Sequence, residues 1–418
     1  MANGVLFVHN NFPGQFRSLA KTLVARGVTC AAIGSSSSAG VEGVRIGRYA
    51  LDRGTTPDIF PYAIRAEADL IRGSNALRVA RLFKNEGFEP QVIVGHPGWG
   101  EMIFLDEVWP DARQVMFSEF FYKAHGLDVG FDPEFHAPTE AAMLTAHAKN
   151  AILALSLTGA DAIVAPTEFQ ASALPPVFQP LVRVIHEGVD VDAIQPGPAA
   201  PFALPDGRTI APGTPVITYA NNYMEPMRGL HIFARALPRL MDQVPDAQVL
   251  IFGKEGARPY GGSAPDGGAW QDLIFRDLPL DASRLHFMGK APHAQLLAAF
   301  RLSTAHVYYT YPFVLSWSLV EAMASGCYVI GSDTAPLHDA IKDGVNGRLL
   351  PFFDPHTLSQ ALIEACRYPQ GFNYLRTAAR ATAVAKFSSR AGGEAWLGLL
   401  RELGVAIPDA DLAPAAET

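Results

Sequence analysis

Between residues 307 and 333 the chain reads VYYTYPFVLSWSLVEAMASGCYVIGSD, and this stretch narrows the choice of fold more than any other. It opens on an apolar run of aromatic and β-branched residues (307–309) that predicts a buried strand. Pro312 ends the strand. Helical spacing takes over at Trp317, Val320, Met323 and Ala324, and Gly326 supplies the helix stop. A second apolar run, 327–331, predicts another buried strand. Strand, loop, helix and strand in this order form a βαβ crossover, which needs a parallel sheet and gathers ligands at the carboxyl ends of its strands.

The loop Phe313, Val314, Leu315, Ser316 and the first helical residue, Trp317, would bring backbone amides to a helix N-terminus, where the partial positive charge suits a phosphate. One turn further in, Glu321 is the one acid on an otherwise apolar helix. A carboxylate there can accept hydrogen bonds from ribose hydroxyls; the alternative is that it faces solvent.

At 418 residues, with 49% hydrophobic and 18% charged side chains, the chain is globular and long enough for two domains. A formal net charge of −8 argues against a nucleic-acid partner, which would need a basic face. It also supplies no polybasic patch for anionic lipid, although peripheral membrane contact stays open. Cys30, Cys327 and Cys366 form no C-x-x-C pair, so neither a disulfide framework nor a zinc site is expected, and a reducing cytoplasm is. The sequence runs directly into a strand pattern at 5–8, so no signal peptide is expected, and no apolar run approaches the ~18 residues of a membrane span. Nothing in the sequence speaks to oligomeric state.

Taken in order, the strand at 5–9 leads into the loop HNNFPGQFR, a helix and a second strand at 28–33, with no G-x-G-x-x-G. Residues 67–86 predict an amphipathic helix. The strand at 91–94 runs into His96, Pro97, Gly98, Trp99, Gly100 and Glu101, a loop whose imidazole, indole and carboxylate suit a sugar site. The strand at 114–117 ends at Ser118 and Glu119. Glu119 is a candidate general base, with an ion pair to Arg113 or Lys123 as the structural alternative. Residues 140–157 predict one long helix. From 194 to 215, six prolines and three glycines in 22 residues read as an interdomain linker. A new strand at 216–220 opens the second half, followed by the loop Asn221 to Gly229 and a helix from Leu230. Two helices, 355–366 and 373–403, close the chain before an alanine-rich tail at 406–418.

Glu321-Ala322-Met323-Ala324-Ser325-Gly326 resembles the second half of the E-x(7)-E signature of retaining glycosyltransferases of family 4, which have the GT-B fold. HNNFPGQFR, EPMRG, the strand at 285–290 and DGVNGRLLPFFDP (343–355) are similar to the same family, in a bacterial branch. The resemblance implies an α/β protein with two Rossmann-like domains facing across a cleft and a C-terminal helix crossing back to the first domain. It divides the chain into 1–193 (acceptor side), 194–215 (linker), 216–385 (nucleotide-sugar side), 386–405 (crossover helix) and 406–418 (tail). It implies transfer of a hexose-type sugar from a UDP- or GDP-sugar to a hydroxyl of a carbohydrate, glycan or small molecule, without metal or cofactor.

The donor would be held by Gly14, Asn222, Arg228, Gly229, Lys290, Phe313, Val314, Leu315, Ser316, Trp317 and Glu321. Arg228, Glu119 and His96 are the candidate catalytic groups. The family commonly carries two cations in the loop at 221–229. Arg228 matches the second, Asn222 or Tyr223 stands at the first, and Lys254 or Lys290 are candidates to compensate. Phe313 stands where the family has its first glutamate, which contacts the donor sugar's hydroxyls. Two other readings keep the fold: a sugar-nucleotide-binding protein or inactive partner subunit, and a phosphorylase or epimerase.

Overall fold

A computed structural model describes residues 4–255 and 259–408. Most of the 406–418 tail lies outside them, as do Gly256, Ala257 and Arg258 in the loop after residue 255. The chain divides into two units. One takes in the chain up to Ala124, Thr139–Gly188 and the chain from Ser389 onward; the other comprises His125–Pro138 and Val189–Ser388.

The first unit holds a seven-stranded parallel sheet: β1 (Gly4–Val8), β2 (Thr29–Ser35), β3 (Arg45–Tyr49), β4 (Val92–Gly95), β5 (Arg113–Phe117), β6 (Ala162–Ala165) and β7 (Val182–Val184). Their order is β3-β2-β1-β4-β5-β6-β7. Strand β1 shows why both faces must be covered. Val5 and Phe7 pack with Leu19, Leu23 and Trp396, while Leu6 and Val8 pack with Ala76, Ala80 and Phe83. Burying each large side chain contributes about 1.5–3 kcal/mol, so both layers of helices are needed. Trp396 lies on the helix Ser389–Glu402 and meets Phe16 and Phe117 at 6.4 Å.

The second unit holds a six-stranded parallel sheet: β10 (Val216–Tyr223), β11 (Gln248–Lys254), β12 (Leu285–Gly289), β13 (Ala305–Tyr308), β14 (Val329–Ser332) and β15 (Arg348–Leu350), ordered β12-β11-β10-β13-β14-β15. Before it comes a two-stranded antiparallel hairpin, β8 (Phe202–Ala203) with β9 (Thr209–Ile210). The crossover read from 307–333 is present as β13, the helix Trp317–Ala324 and β14.

Four features differ from the sequence reading. The stretch 194–215 is not a plain spacer: Phe202, Leu204 and Ile210 are buried in the second unit's core. Its prolines hid three well-spaced apolar anchors. The helix expected at 140–157 is two, Glu140–Ala148 and Ala151–Leu157, because the Asn150 side chain binds both backbone groups of Tyr122, at 2.7 and 3.0 Å. The helix expected at 373–403 breaks at Phe387 and Ser388 into Asn373–Lys386 and Ser389–Glu402, where the chain passes from the second unit to the first. Finally, His125–Pro138 belongs to the second unit although the chain on either side belongs to the first. Asp132 accepts from the Tyr311 hydroxyl at 2.5 Å, and Glu134 takes Arg235 with both oxygens.

Candidate functional site

Each sheet reverses its winding at one place, and there two loops diverge to leave a crevice at the carboxyl edge. In the second unit this point lies between β10 and β13. The loop after β10 carries Arg228; the loop after β13 leads into the helix Trp317–Ala324, with Ser316 at its N-cap.

Arg228 is buried, and its Nη1 donates to the Val314 carbonyl (2.9 Å), Thr310 Oγ1 (2.9 Å) and the Tyr308 hydroxyl oxygen (3.3 Å). The same Tyr308 oxygen accepts the Ser316 N–H at 2.8 Å, so one phenol joins the arginine to the helix start. Gly229 makes the close approach possible. Its φ is +70°, and a Cβ would stand 2.3 Å from Cβ of Tyr309. Tyr219 fixes the loop from below, donating to the Arg228 carbonyl at 2.8 Å.

All three partners of the guanidinium are neutral, and among the described residues Arg228 forms no ion pair. Nearby Glu225 is not hydrogen-bonded to the guanidinium. Burial pushes its carboxyl above the usual range against the pull of Arg228, and its oxygens serve the N–H groups of Gly261 (2.7 Å) and Tyr260 (3.4 Å). A buried cation without an anion is costly, and the cost falls when an anionic ligand enters.

Glu321, half-buried on the same helix, accepts from or donates to His293 Nε2 at 2.9 Å. Burial raises its carboxyl above the ordinary range, with His293 acting in the opposite sense. Phe313 and Val314 are buried, Leu315 and Ser316 are half-buried, and Trp317 is exposed. Asn222 and Lys290 are both exposed, at the ends of β10 and β12, two strands apart in the sheet. Lys254 lies over the Tyr223 ring, 5.3 Å from its centroid.

The first unit has its own reversal between β1 and β4. His9 follows β1, His96 follows β4, and Glu119 lies two residues beyond β5. Nδ1 of His9 accepts the Asn11 N–H at 2.9 Å, so its proton sits on Nε2 and is donated to Gln15 Oε1 at 2.7 Å. Gln15 Nε2 in turn donates to Glu119 Oε1 at 3.1 Å. Nδ1 of His96 accepts the Gly98 N–H at 3.1 Å, which leaves its Nε2–H facing Glu119 Oε2 across 3.6 Å. Burial and the neighbouring His96 lower the His9 pKa to about 3, keeping it neutral. Burial opposes ionisation of Glu119, but His96, His9 and Gln15 together hold its carboxyl below the ordinary value.

Trp99 stacks on His96 at 4.1 Å and meets His9 at 5.0 Å. Gly14 belongs here, because a Cβ at its φ of +43° would stand 2.5 Å from the His9 ring. Glu101 points elsewhere: it is fully buried and accepts from the Tyr49 hydroxyl at 2.5 Å. The ion pairs weighed for Glu119 do not form, since Arg113 pairs with Asp161 and Lys123 reaches the Ser172 carbonyl.

The structure thus gathers Arg228, Gly229, Phe313, Val314 and Ser316 in one place, and Gly14, His96 and Glu119 in another. Sequence reasoning missed His9, Gln15, Tyr308, Thr310 and His293. Only the first two had a signal, standing in HNNFPGQFR at the end of a buried strand. Among the described residues no group of three or more His, Cys, Asp and Glu is arranged to hold a metal ion. No helix among them is long and apolar enough to cross a membrane.

Residues 26–194 match the model described as "Glycosyl transferase family 4 group", and residues 214–367 match "Glycosyl transferases group 1". The phosphatidyl-myo-inositol mannosyltransferase of Mycolicibacterium smegmatis is 31% identical over 183 residues, 43% of this chain and 41% of that protein. A D-inositol 3-phosphate glycosyltransferase of Mycobacterium sp. (strain KMS) is 28% identical over 211 residues, 49% of this chain and 45% of its own. The chain therefore matches less than half the length of these curated relatives. Among solved structures, sucrose-phosphate synthase of Thermosynechococcus elongatus superposes with a TM-score of 0.72 at 15% identity, covering 96% of this chain and 99% of that one. Anabaena HepE in complex with UDP and glucose gives 0.65 at 14% identity, covering 96% and 100%. At such identities the likeness establishes the fold, GT-B.

Proposed function

We propose that this chain, which belongs to the family 4 and group 1 glycosyltransferases of GT-B fold, is a retaining hexosyltransferase. It moves a sugar from a UDP- or GDP-sugar to a hydroxyl of a carbohydrate, glycan or small-molecule acceptor. One observation carries the reading: a buried arginine, with no carboxylate bonded to it among the described residues, is joined through Val314 and Tyr308 to the start of a helix at the sheet's reversal. When the glycosidic bond to the diphosphate breaks, the leaving group gains negative charge. A cation and helix amides already in position lower that barrier by several kcal/mol. Arg228 then does the work that a bound metal does elsewhere, and we read the transfer as metal-independent, with no resident cofactor.

On the acceptor side Glu119, kept ionised by its neighbours, takes the proton of the attacking hydroxyl, with His96 and Trp99 flanking the sugar. The diphosphate's own oxygen guides that hydroxyl to the face the leaving group vacates, which is what retention of configuration requires. The three free cysteines fit a cytoplasmic enzyme.

A competing reading, a sugar-nucleotide-binding partner without turnover, draws on Phe313 and Asn222 standing where the family has a carboxylate and a cation. Donor binding with no hydrolysis or transfer over a broad acceptor panel would favour it.

A thermal-shift screen of nucleotides and nucleotide sugars tests the assignment, since a ligand of the folded state raises the melting temperature by mass action. UDP or GDP should raise it, and Glu321→Gln should weaken the response. Ionised Glu321 accepts from the ribose, so protonation weakens binding. Because burial raises its pKa, the affinity ratio of wild type to Glu321→Gln should begin to fall above pH 4.5, the ordinary value, as pH is lowered. A ratio independent of pH removes Glu321 from the site.

A further inference from the structure

Five side chains at the carboxyl edge of the second sheet form a row with a cation at each end. The Arg228 guanidinium carbon lies 5.5 Å from the Phe313 ring centroid; Phe313 lies 5.9 Å from Tyr260, Tyr260 lies 6.0 Å from Tyr223, and the Lys254 nitrogen lies 5.3 Å from Tyr223. Arg228 is bonded to the residues that end β13, Lys254 ends β11, and only β10 lies between. Among the described residues neither cation forms an ion pair.

Tyr260 is 56% exposed, yet the turn that carries it is held from three directions. Glu225 accepts the Gly261 N–H at 2.7 Å, His136 Nε2 donates to the Gly261 carbonyl at 2.6 Å, and Trp270 Nε1 donates to the Gly262 carbonyl at 2.8 Å. Gly261 has no room for a Cβ, which would stand 2.8 Å from His136 Nε2. A ring fixed in water beside two others is suited to cover the C–H face of a sugar or a planar base. An ammonium at the end of such a row calls for a second negative charge on the ligand.

Direction along the site separates sugar from base. Glu321, bonded to His293 of a neighbouring helix, lies one turn into the helix Trp317–Ala324, whereas Phe313 precedes its start. A nucleoside diphosphate centred on the helix start with its ribose at Glu321 leaves the Phe313 side to the sugar. A neutral ring at 313 also leaves a negative charge on that sugar unopposed, as a carboxylate there would not. We infer that the donor sugar lies along Phe313, Tyr260 and Tyr223 and carries its own carboxylate, paired with Lys254: the substrate class is a nucleotide-diphospho-uronate. This deepens the nucleotide-sugar reading above and rests on it.

Calorimetry on the full chain tests it with matched pairs that differ only at C6: UDP-glucuronate against UDP-glucose and GDP-mannuronate against GDP-mannose, with free UDP and GDP as references. One uronate should bind roughly tenfold tighter than its neutral partner, the effect of one charge-assisted contact. Lys254→Met should erase that difference and leave UDP and GDP affinity unchanged; Tyr260→Ala should weaken both sugars of the pair but not the free nucleotide. Equal affinities within each pair overturn the inference. So does Lys254→Met weakening UDP itself, which would assign the lysine to the diphosphate, or Tyr260→Ala doing so, which would assign the row to the base. If no UDP or GDP compound binds at all, the nucleotide reading falls and takes this one with it.

Discussion

Arg228→Met is expected to abolish the thermal shift given by nucleoside diphosphates and to lower sugar transfer by about 10²- to 10³-fold, the loss that follows removal of one preorganised donor from a developing oxyanion. The same change leaves the buried Val314 carbonyl and Thr310 hydroxyl without their donor, at about 1–3 kcal/mol each. Destabilisation alone could therefore mimic the functional loss. Arg228→Lys separates the two. Its compact ammonium keeps the charge but not the planar fork that reaches structural partners and ligand together. The lysine variant should melt near wild type and still transfer at least tenfold more slowly, a difference of about 1.4 kcal/mol. Wild-type rates from a folded Arg228→Lys would remove the guanidinium from the chemistry.

Glu119→Gln should reduce kcat by about 10²-fold, the loss expected for a general base, while leaving donor affinity unchanged. The shape is conserved, so Gln15 keeps a partner and what is lost is the charge that accepts a proton. The pH profile adds a check that a structural role would not move. With the Glu119 carboxyl held below its ordinary value, the acid limb of kcat, read at saturating donor so that Glu321 does not contribute, lies below that value in the wild type. His96→Ala removes one of the groups holding it down, so the Glu119 pKa rises and the limb moves to higher pH. An unmoved limb, or unchanged kcat in Glu119→Gln, assigns Glu119 a scaffolding part only.

Much of this architecture was legible because buried parallel strands leave long apolar runs, and the strand–helix–strand unit at 307–333 is punctuated by Pro312 and Gly326. The edge strand Arg45–Tyr49 was not, because its arginines break the apolar pattern. The hairpin at 202–210 was hidden by prolines, and the docking of His125–Pro138 depends on Asp132 and Glu134 finding partners about a hundred residues away or more, which no local pattern encodes. At the site, Arg228 and the helix start were read correctly as neighbours. Their link through Tyr308 and Thr310 was invisible, since a tyrosine in an apolar strand reads as core until its hydroxyl is seen to accept two hydrogen bonds. His293 was equally silent: it meets Glu321 only because two helices that follow different strands pack side by side.

The account stands on one placement, a diphosphate held jointly by Arg228 and the amides at the start of the helix Trp317–Ala324. A crystal structure of the full chain with UDP or GDP measures it directly. The account predicts the diphosphate oxygens within hydrogen-bond reach of the Arg228 guanidinium and of the backbone at 315–317, with the ribose at Glu321. A nucleotide bound with its phosphates away from that arginine would contradict it.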